Sequence, residues 1–267
     1  IGEDVFQIQS HFGVSKTNST FAIAITNPNI RWQAAYRLLS YNISSKLKPF
    51  DFKNPFGVQC TINGDLNKEG DPNIRVEANI KNNELSYFDH KVTDCSFKCV
   101  FTNEYQKNKG VSDENSAILL DDFRGKVHSI PFTTKKMMIL DLKKPIASGA
   151  FVSRFDLAQL NQTMIGKTLS FGSGKADLRL AFKADVVNLE MQKPFLIGSV
   201  VIQNASGTHI SSKKKFKNSS VDLSFTSKEL KVNQIELNTQ NSALKMKGQS
   251  DNLLNFYYDT PEKIQLN

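Results

Sequence analysis

The chain lacks both a long apolar run and a leader sequence. None of its apolar stretches approaches the roughly 18 residues that a membrane-spanning helix needs. It begins on Ile1, without the charged and apolar regions of a signal peptide. We therefore expect a segment of a longer protein, with any membrane anchor and export signal outside this sequence.

Catalytic motifs are also missing. The sequence contains no glycine-rich phosphate loop, no Gly-x-Ser-x-Gly and no His-Glu-x-x-His. Asp121 and Asp122 are neighbouring carboxylates, but neighbours on a strand point to opposite faces, so they cannot share a substrate without a bulge. We predict a non-enzymatic protein with no catalytic residues, no cofactor and no small-molecule substrate.

Cysteine is scarce, with three residues in the chain. Cys95 and Cys99 lie four residues apart on a predicted strand, about 13 Å, whereas a disulfide tolerates at most about 7 Å. Cys60 shares its face with apolar neighbours, and its pairing with one of the other two stays open. We expect buried thiols that behave as small hydrophobic groups. No metal site is predicted, because none of the histidines lies at ligand spacing from a cysteine: His11, His90, His128 and His209.

Acidic residues are outnumbered, with 34 Lys and Arg against 26 Asp and Glu, a net charge of +8. This excess favours a mild attraction to anionic surfaces, either lipid headgroups or nucleic acid. The basic run at 213–217, KKKFK, is interpreted as a solvated loop, and its composition also fits a phospholipid or nucleic-acid contact. We expect no nucleic-acid partner.

The dominant positive signal is strict alternation of apolar and polar residues. In Ala176–Val186 the apolar side chains fall on one parity and the charged ones on the other. Side chains alternate faces along an extended chain, so this pattern predicts a strand with one dry and one wet face. Similar stretches recur at 21–25, 56–62, 74–80 and 221–225. We predict an all-β, mainly antiparallel fold: a curved, one-faced sheet that forms an open groove or a sandwich-like β-taco.

Two short windows favour helix within this β pattern. Arg31–Ser40 has apolar residues at helical spacing, although it is short enough to be extended instead. Asp156–Met164 has apolar residues on one helical face and Asp156 at the N-cap position, so we expect a short helix across an end of the sheet. The whole chain, 1–267, is predicted as a single elongated β domain, with two related halves, 1–147 and 148–267, as the alternative organisation.

Several stretches resemble a known family. The C-terminal pattern runs from Asn241-Ser242-Ala243-Leu244 to Gly248 and then Asn252-Leu253-Leu254. It resembles the closing pattern of AsmA-like proteins. Upstream, the blocks ITNPNIRW, SSKLKPFDFKNPFGVQCTINGDL and VSRFDLAQL are similar to large AsmA-family proteins of Bacteroidetes-type bacteria. The chain departs from that family by lacking the usual N-terminal anchor and by stopping at Leu266-Asn267.

The resemblance implies a periplasmic segment that holds lipid acyl chains in a half-open β channel. It implies a protein of the cell envelope, anchored to the inner membrane by a segment outside this sequence. Outer-membrane assembly or inter-membrane phospholipid transport would be its role, and phospholipid or another acyl-chain lipid its partner. On this reading, six residues of the dry face contact lipid: Leu178, Leu180, Phe182, Val186, Leu223 and Phe225.

Two other functions remain open at this point. The same apolar residues fit the core of a closed sandwich that acts as an envelope scaffold through protein contacts and holds no lipid. A carbohydrate-binding β-sandwich is a third alternative. It would need exposed aromatic residues on a wet face, and Trp32 is the only tryptophan in the chain.

Overall fold

The computed structural model describes residues 5–15, 19–37, 44–45, 47–187, 190–251 and 265–266. These residues are predominantly β-strand, and the all-β, mainly antiparallel fold class is confirmed. The strands are β1 (Gln7–Gly13), β2 (Thr20–Ile30), β3 (Phe50–Phe52), β4 (Phe56–Asp65), β5 (Asn73–Tyr87), β6 (His90–Thr102), β7 (Ala117–Val127), β8 (Ile130–Leu140), β9 (Ile146–Asp156), β10 (Leu169–Val187), β11 (Glu190–His209), β12 (Lys214–Thr226), β13 (Glu229–Asn238), β14 (Ala243–Asp251) and β15 (Gln265–Leu266).

The strands pair almost entirely with their neighbours in sequence. The hydrogen-bonded order runs from β1 to β2, then to β4, and from there through each successive strand to β15. The short β3 lies off this path and pairs with β5. An order of this kind is built from antiparallel pairs of consecutive strands, which need only short connections.

Contacts divide the chain into two compact units. Unit 1 comprises Ile1–Gly125, Thr134–Ser148 and Ala184–Gln192, and unit 2 comprises residues 126–133, 149–183 and 193–267. Several strands contribute residues to both units. The organisation into halves 1–147 and 148–267 stays a prediction.

An aromatic cluster forms the centre of unit 1. The helix α1 (Trp32–Arg37) supplies Trp32, whose ring meets Phe52 edge-on at 5.2 Å between centroids. Phe52 in turn lies 5.2 Å from Phe56 and 6.1 Å from Phe97. Burial of such rings is strongly stabilising, and their tilted arrangements are the preferred ones. The helix predicted in Arg31–Ser40 is therefore present over Trp32–Arg37, and the last three residues of that window lie outside the described residues.

Unit 2 has its own core around Leu157, which is fully buried against Phe171, Ala176 and Ala205. Leu157 belongs to a 3-10 helix, Leu157–Gln162, which is followed by a second one, Met164–Lys167. The prediction of one capped helix over Asp156–Met164 is thus wrong in detail. Extended backbone at Thr163 separates the two turns, and the Asp156 side chain makes no capping hydrogen bond.

Asn161 fixes the first 3-10 helix to the sheet. Its side-chain amide donates to the carbonyl oxygen of Phe171 at 2.9 Å and accepts from the Phe171 N–H at 2.8 Å. The amide thereby reproduces the pair of hydrogen bonds that a neighbouring strand would make.

The same bulge geometry occurs in both units. Between the pairs Ile80↔Phe97 and Asn83↔Cys95, β5 advances three residues while β6 advances two. The bulged stretch of β5 contains Asn82, whose φ is 45°. Between Ile202↔Val221 and Ala205↔Ser219, β11 likewise gains one residue on β12, with Asn204 at φ 53°. Both are β-bulges that contain an asparagine with left-handed backbone conformation, which Asn tolerates better than most residues.

A second bulge on the partner strand follows each of these. Past Asn83 the extra residue lies on β6, where Asp94 has φ 50°. Past Ala205 it lies on β12, where Asn218 has φ 47°. The residue after each of the four Asx positions is buried, namely Asn83, Cys95, Ala205 and Ser219. This recurrence supports the alternative of related halves.

We predict that the left-handed conformation at position 204 determines the effect of substitution there. Asn204→Val should lower the free energy of unfolding by about 1–2 kcal/mol, because a β-branched residue is strained at positive φ. Asn204→Gly should leave it unchanged or slightly higher. The measurement is urea denaturation, with Gln203→Val, at the exposed neighbouring position, as the control. Equal losses for the two valine variants would contradict the assignment.

Candidate functional site

Unit 2 carries an apolar face across four strands. Strand pairing places Ile202 on β11 beside Val221 on β12, then Ile235 on β13 and Met246 on β14. The next row consists of Val200, Leu223, Val232 and Gly248. A third row consists of Gly198, Phe225, Leu230 and Ser250. Directly opposed side chains on one face of a sheet lie about 5 Å apart, so these rows form one contiguous apolar surface.

The other face of the same strands is mainly polar, with Phe195, Ile197 and Val201 on β11 as apolar exceptions. The row between the second and third apolar rows consists of Ser199, Ser224, Lys231 and Gln249. On β10, Asp177 accepts from Arg154 at 2.7 Å and from Arg179 at 3.2 Å. These hydrogen bonds from Arg154 and Arg179 lower the pKa of Asp177, which stays ionised at neutral pH. The alternation predicted from sequence therefore separates dry from charged side chains.

Most side chains of the apolar face are only half-buried. Val200, Leu223, Phe225 and Val232 are of this kind. Exposure increases towards β14, where Leu244 is 49% and Met246 44% exposed. Three large side chains are fully buried among the described residues, Ile30, Leu157 and Cys95, and none of them belongs to these rows. The apolar side chains of the face therefore shield one another partly from solvent and are not fully buried.

Five of the six residues predicted to contact lipid lie in unit 2. Leu223 and Phe225 are in the apolar rows, and Leu178, Leu180 and Phe182 share one parity on β10. Ala176 has the same parity on β10 and packs in the same cluster as Ile202. The residues of this parity therefore lie on the same face of the sheet as the apolar rows. The sixth residue, Val186, is half-buried and lies in unit 1, where its N–H donates to the Pro145 carbonyl at 2.8 Å.

Phe182 differs from the other five because it is 9% exposed. Its ring stacks on Phe151 at 5.6 Å between centroids, with an interplanar angle of 7°. Phe151 meets Phe132 edge-on at 5.8 Å. Phe182 is consequently part of the packing that supports the face.

Glycines opposite phenylalanines are a feature that sequence reasoning missed. Gly198 lies opposite Phe225 and Gly207 opposite Phe216, and in unit 1 Gly64 lies opposite Phe21. A Cβ atom on Gly198 would approach Phe225 Cζ to 2.8 Å, and one on Gly207 would approach Phe216 Cζ to 2.9 Å. Each phenylalanine ring therefore lies over a glycine and covers backbone that would otherwise be exposed to solvent. The only sequence signal was an isolated glycine within an alternating strand.

Unit 1 carries an apolar face of the same kind. One row joins five strands through Ile8, Ile25, Cys60, Val76 and Phe101. A second row contains Ser10, Ile23, Ile62 and Ile74. On β1, Ile8 and Phe12 are exposed, and Phe12 stacks on Phe21 at 6.4 Å. This face thus also becomes more exposed towards its outermost strand.

All three cysteines are free thiols. This agrees with the prediction that Cys95 and Cys99 do not pair, and it removes the open alternative of a Cys60 disulfide. Burial raises the pKa of Cys99 to about 12 and that of Cys95 to about 11, and it also raises the pKa of Cys60. The thiolate, which is the reactive form, is therefore disfavoured at all three positions.

The remaining candidate groups form no metal-binding cluster within the described ranges. No group of three or more His, Cys, Asp or Glu residues is placed to hold a metal ion there. Asp122 has φ 50° and lines a shallow depression with Arg124, Lys81 and Lys98. A second depression lies between β1, β2 and β4, around His11. None of the six predicted residues lines either depression, so the candidate site is a surface and not a cavity.

Comparison with known proteins found no matching protein-family model, no matching curated protein and no matching solved structure. The AsmA-like resemblance therefore stays a prediction. Among the described residues, no helix has the length and apolar character needed to cross a membrane.

We predict that Gly198 is required for packing of the face. Gly198→Ala should lower the free energy of unfolding by about 1–3 kcal/mol, since the new methyl group has to displace the Phe225 ring or the adjacent β10 backbone. Ser199→Ala, on the polar face of the same strand, serves as the control. Thermal unfolding of both variants tests the prediction, and a Gly198 variant no less stable than the control would refute it.

The raised thiol pKa values predict slow thiol chemistry. At pH 8, below all three pKa values, the folded chain should react with a thiol-specific disulfide reagent much more slowly than glutathione. In denaturant, three thiols per chain should react rapidly. Rapid, stoichiometric labelling of a thiol in the folded chain would show that the assigned burial is wrong.

Proposed function

We propose that this chain is a non-enzymatic lipid-binding segment that holds acyl chains against the apolar sheet face. In this proposal it belongs to an AsmA-like protein of the bacterial cell envelope and lies in the periplasm. Its role is outer-membrane assembly or inter-membrane phospholipid transport. The observation that carries the proposal is the set of contiguous rows in unit 2, whose apolar side chains are half-buried or exposed.

Exposing an apolar surface of this kind to water is unfavourable in free energy. Contiguous exposed apolar patches on soluble proteins commonly mark binding sites. Transfer of an acyl chain onto such a face contributes about 0.8 kcal/mol per buried methylene. About ten methylenes thus contribute about 8 kcal/mol, from which the entropic costs of association are subtracted. The result is reversible holding, which suits transfer between membranes.

The scaffold alternative differs in how the face is covered. A sealed sandwich core would leave its central side chains almost fully buried. Leu223, Phe225 and Val232 are instead half-buried, which favours a surface that accepts a ligand. The carbohydrate alternative is less favoured, because Trp32, the tryptophan that could stack on a sugar, packs against Phe52 in the aromatic cluster of unit 1.

The proposal predicts that charge on the apolar face abolishes lipid uptake. Because Phe182 is 9% exposed, a carboxylate there would threaten folding, and the exposed positions on β14 are better targets. Leu244→Asp/Met246→Asp should reduce uptake of a fluorescent phospholipid at least tenfold. Half-buried Leu223→Asp, at the centre of the face, should abolish uptake.

The matched control places the same two charges on the polar side. Gln234→Asp/Gln249→Asp should leave uptake within twofold of the unsubstituted chain, and circular dichroism establishes that each variant is folded. Native mass spectrometry followed by lipid extraction should show co-purifying phospholipid on the unsubstituted chain. A lipid-free mass together with no uptake of added phospholipid would favour the scaffold instead.

A further inference from the structure

A basic surface of unit 2 lies where the hairpin of β11 and β12 turns. His209 and Lys214 form the last pair of that hairpin, and residues 210–213 form the turn. The prediction that 213–217 is a solvated loop is wrong: Lys214–Lys217 belong to β12, and Phe216 packs on Phe171 at 6.0 Å. Phe216 thus anchors the run, while the lysines around it are exposed.

The second 3-10 helix adjoins this turn. The N–H of Ile210 donates to the carbonyl oxygen of Thr168 at 2.9 Å, which places Ile210 beside the end of Met164–Lys167. Ile165 is 46% and Ile210 44% exposed, and Lys167 is exposed as well. We call this surface the basic tip; it consists of Ile165, Lys167, Ile210, Lys213, Lys214 and Lys215.

Carboxylates are absent from both segments that build the basic tip. Residues 157–176 and 191–221 contain no Asp or Glu, although they contain seven lysines. None of the ion pairs recorded among the described residues includes a lysine of the tip. Neither segment that builds the tip therefore supplies a carboxylate to compensate its positive charge.

We infer that the basic tip docks on the surface of an anionic phospholipid bilayer. Lysines at a membrane surface are attracted by anionic headgroups, and exposed isoleucines can enter the boundary between headgroups and acyl chains. Charge complementarity alone would also suit nucleic acid. Single-stranded nucleic acid is bound mainly through aromatic and arginine stacking, and the tip presents neither. Two exposed isoleucines among lysines fit a bilayer better.

Docking at the tip is separate from holding an acyl chain on the apolar face. The basic tip lies at the turn, whereas the rows lie within the strands. A protein that extracts lipid from a bilayer needs both contacts, but each can exist without the other. The two are therefore tested by different measurements on the same variants.

The test is co-sedimentation of the full chain with vesicles of phosphatidylcholine alone or mixed with phosphatidylglycerol. The chain should bind the mixed vesicles and bind the neutral ones weakly. Each tip lysine is expected to contribute about fivefold in affinity at low salt, so Lys213→Ser/Lys214→Ser/Lys215→Ser should lose about a hundredfold. Binding should also weaken as salt is added.

Two controls separate local docking from the net charge of the chain. Lys228→Ser/Lys231→Ser/Lys247→Ser removes the same charge from elsewhere in unit 2 and should retain binding within a few-fold. Ile165→Ser/Ile210→Ser should weaken binding at least fivefold, whereas Phe195→Ser/Ile197→Ser, also at exposed apolar positions of unit 2, should not. All four variants should keep the circular dichroism spectrum and the uptake of dispersed fluorescent phospholipid.

Three results would overturn the inference. The first is no preference for anionic vesicles, and the second is an equal loss in the two lysine variants, which would indicate diffuse attraction by net charge. The third is binding to single-stranded nucleic acid that is as tight, needs the same lysines and ignores the isoleucines, which would assign the tip to nucleic acid. Loss of phospholipid uptake with intact vesicle docking would instead count against the acyl-chain proposal alone.

Discussion

The alternation of faces along the strands depends on how the Asx bulges are paired. An extra residue in one strand shifts every later side chain to the opposite face, which would send an apolar set into water. On β11 and β12 the bulge at Asn204 is followed by one at Asn218, so both strands change parity together. Even-numbered Phe216 therefore lies on the same face as odd-numbered Val221 and Leu223 of β12, and the lysines on either side of it point away.

This pairing explains how a sheet of consecutive antiparallel strands keeps one dry face through two irregularities. Two glycine–phenylalanine pairs complement the bulges, one close to a bulge and one in a regular stretch of strand. Gly207 follows the Asn204 bulge by three residues and lies under Phe216, while Gly198 lies under Phe225 in the regular part of the strand. The rings cover backbone at positions where no side chain could fit. The face is thus closed to water at its glycines while its aliphatic rows remain half-exposed.

Sequence alone predicted the features that depend on local alternation. The strands from Ala176 to Val186 and around Leu223, the absence of a Cys95–Cys99 disulfide and the helix at Trp32 all follow from periodicity or spacing. The bulges could not be predicted in this Asn-rich chain, because a left-handed Asn204 differs from an ordinary strand asparagine only through its partner strand. The 3-10 geometry after Asp156 and the strand position of Lys214–Lys217 depend on tertiary contacts, through Asn161 and Phe216, that periodicity does not contain.

The same two contacts connect the fold to both proposed surfaces. Asn161 holds the 3-10 segment on β10, and Phe216 holds the start of β12 on Phe171. Together they fix the exposed lysines and isoleucines at one end of strands whose other residues form the apolar rows. The 31 consecutive residues 191–221, which include the turn of the basic tip, contain no carboxylate. For a protein that receives acyl chains from an anionic bilayer, this arrangement places the attractive charge beside the apolar surface while keeping carboxylates, which headgroups would repel, away from the contact.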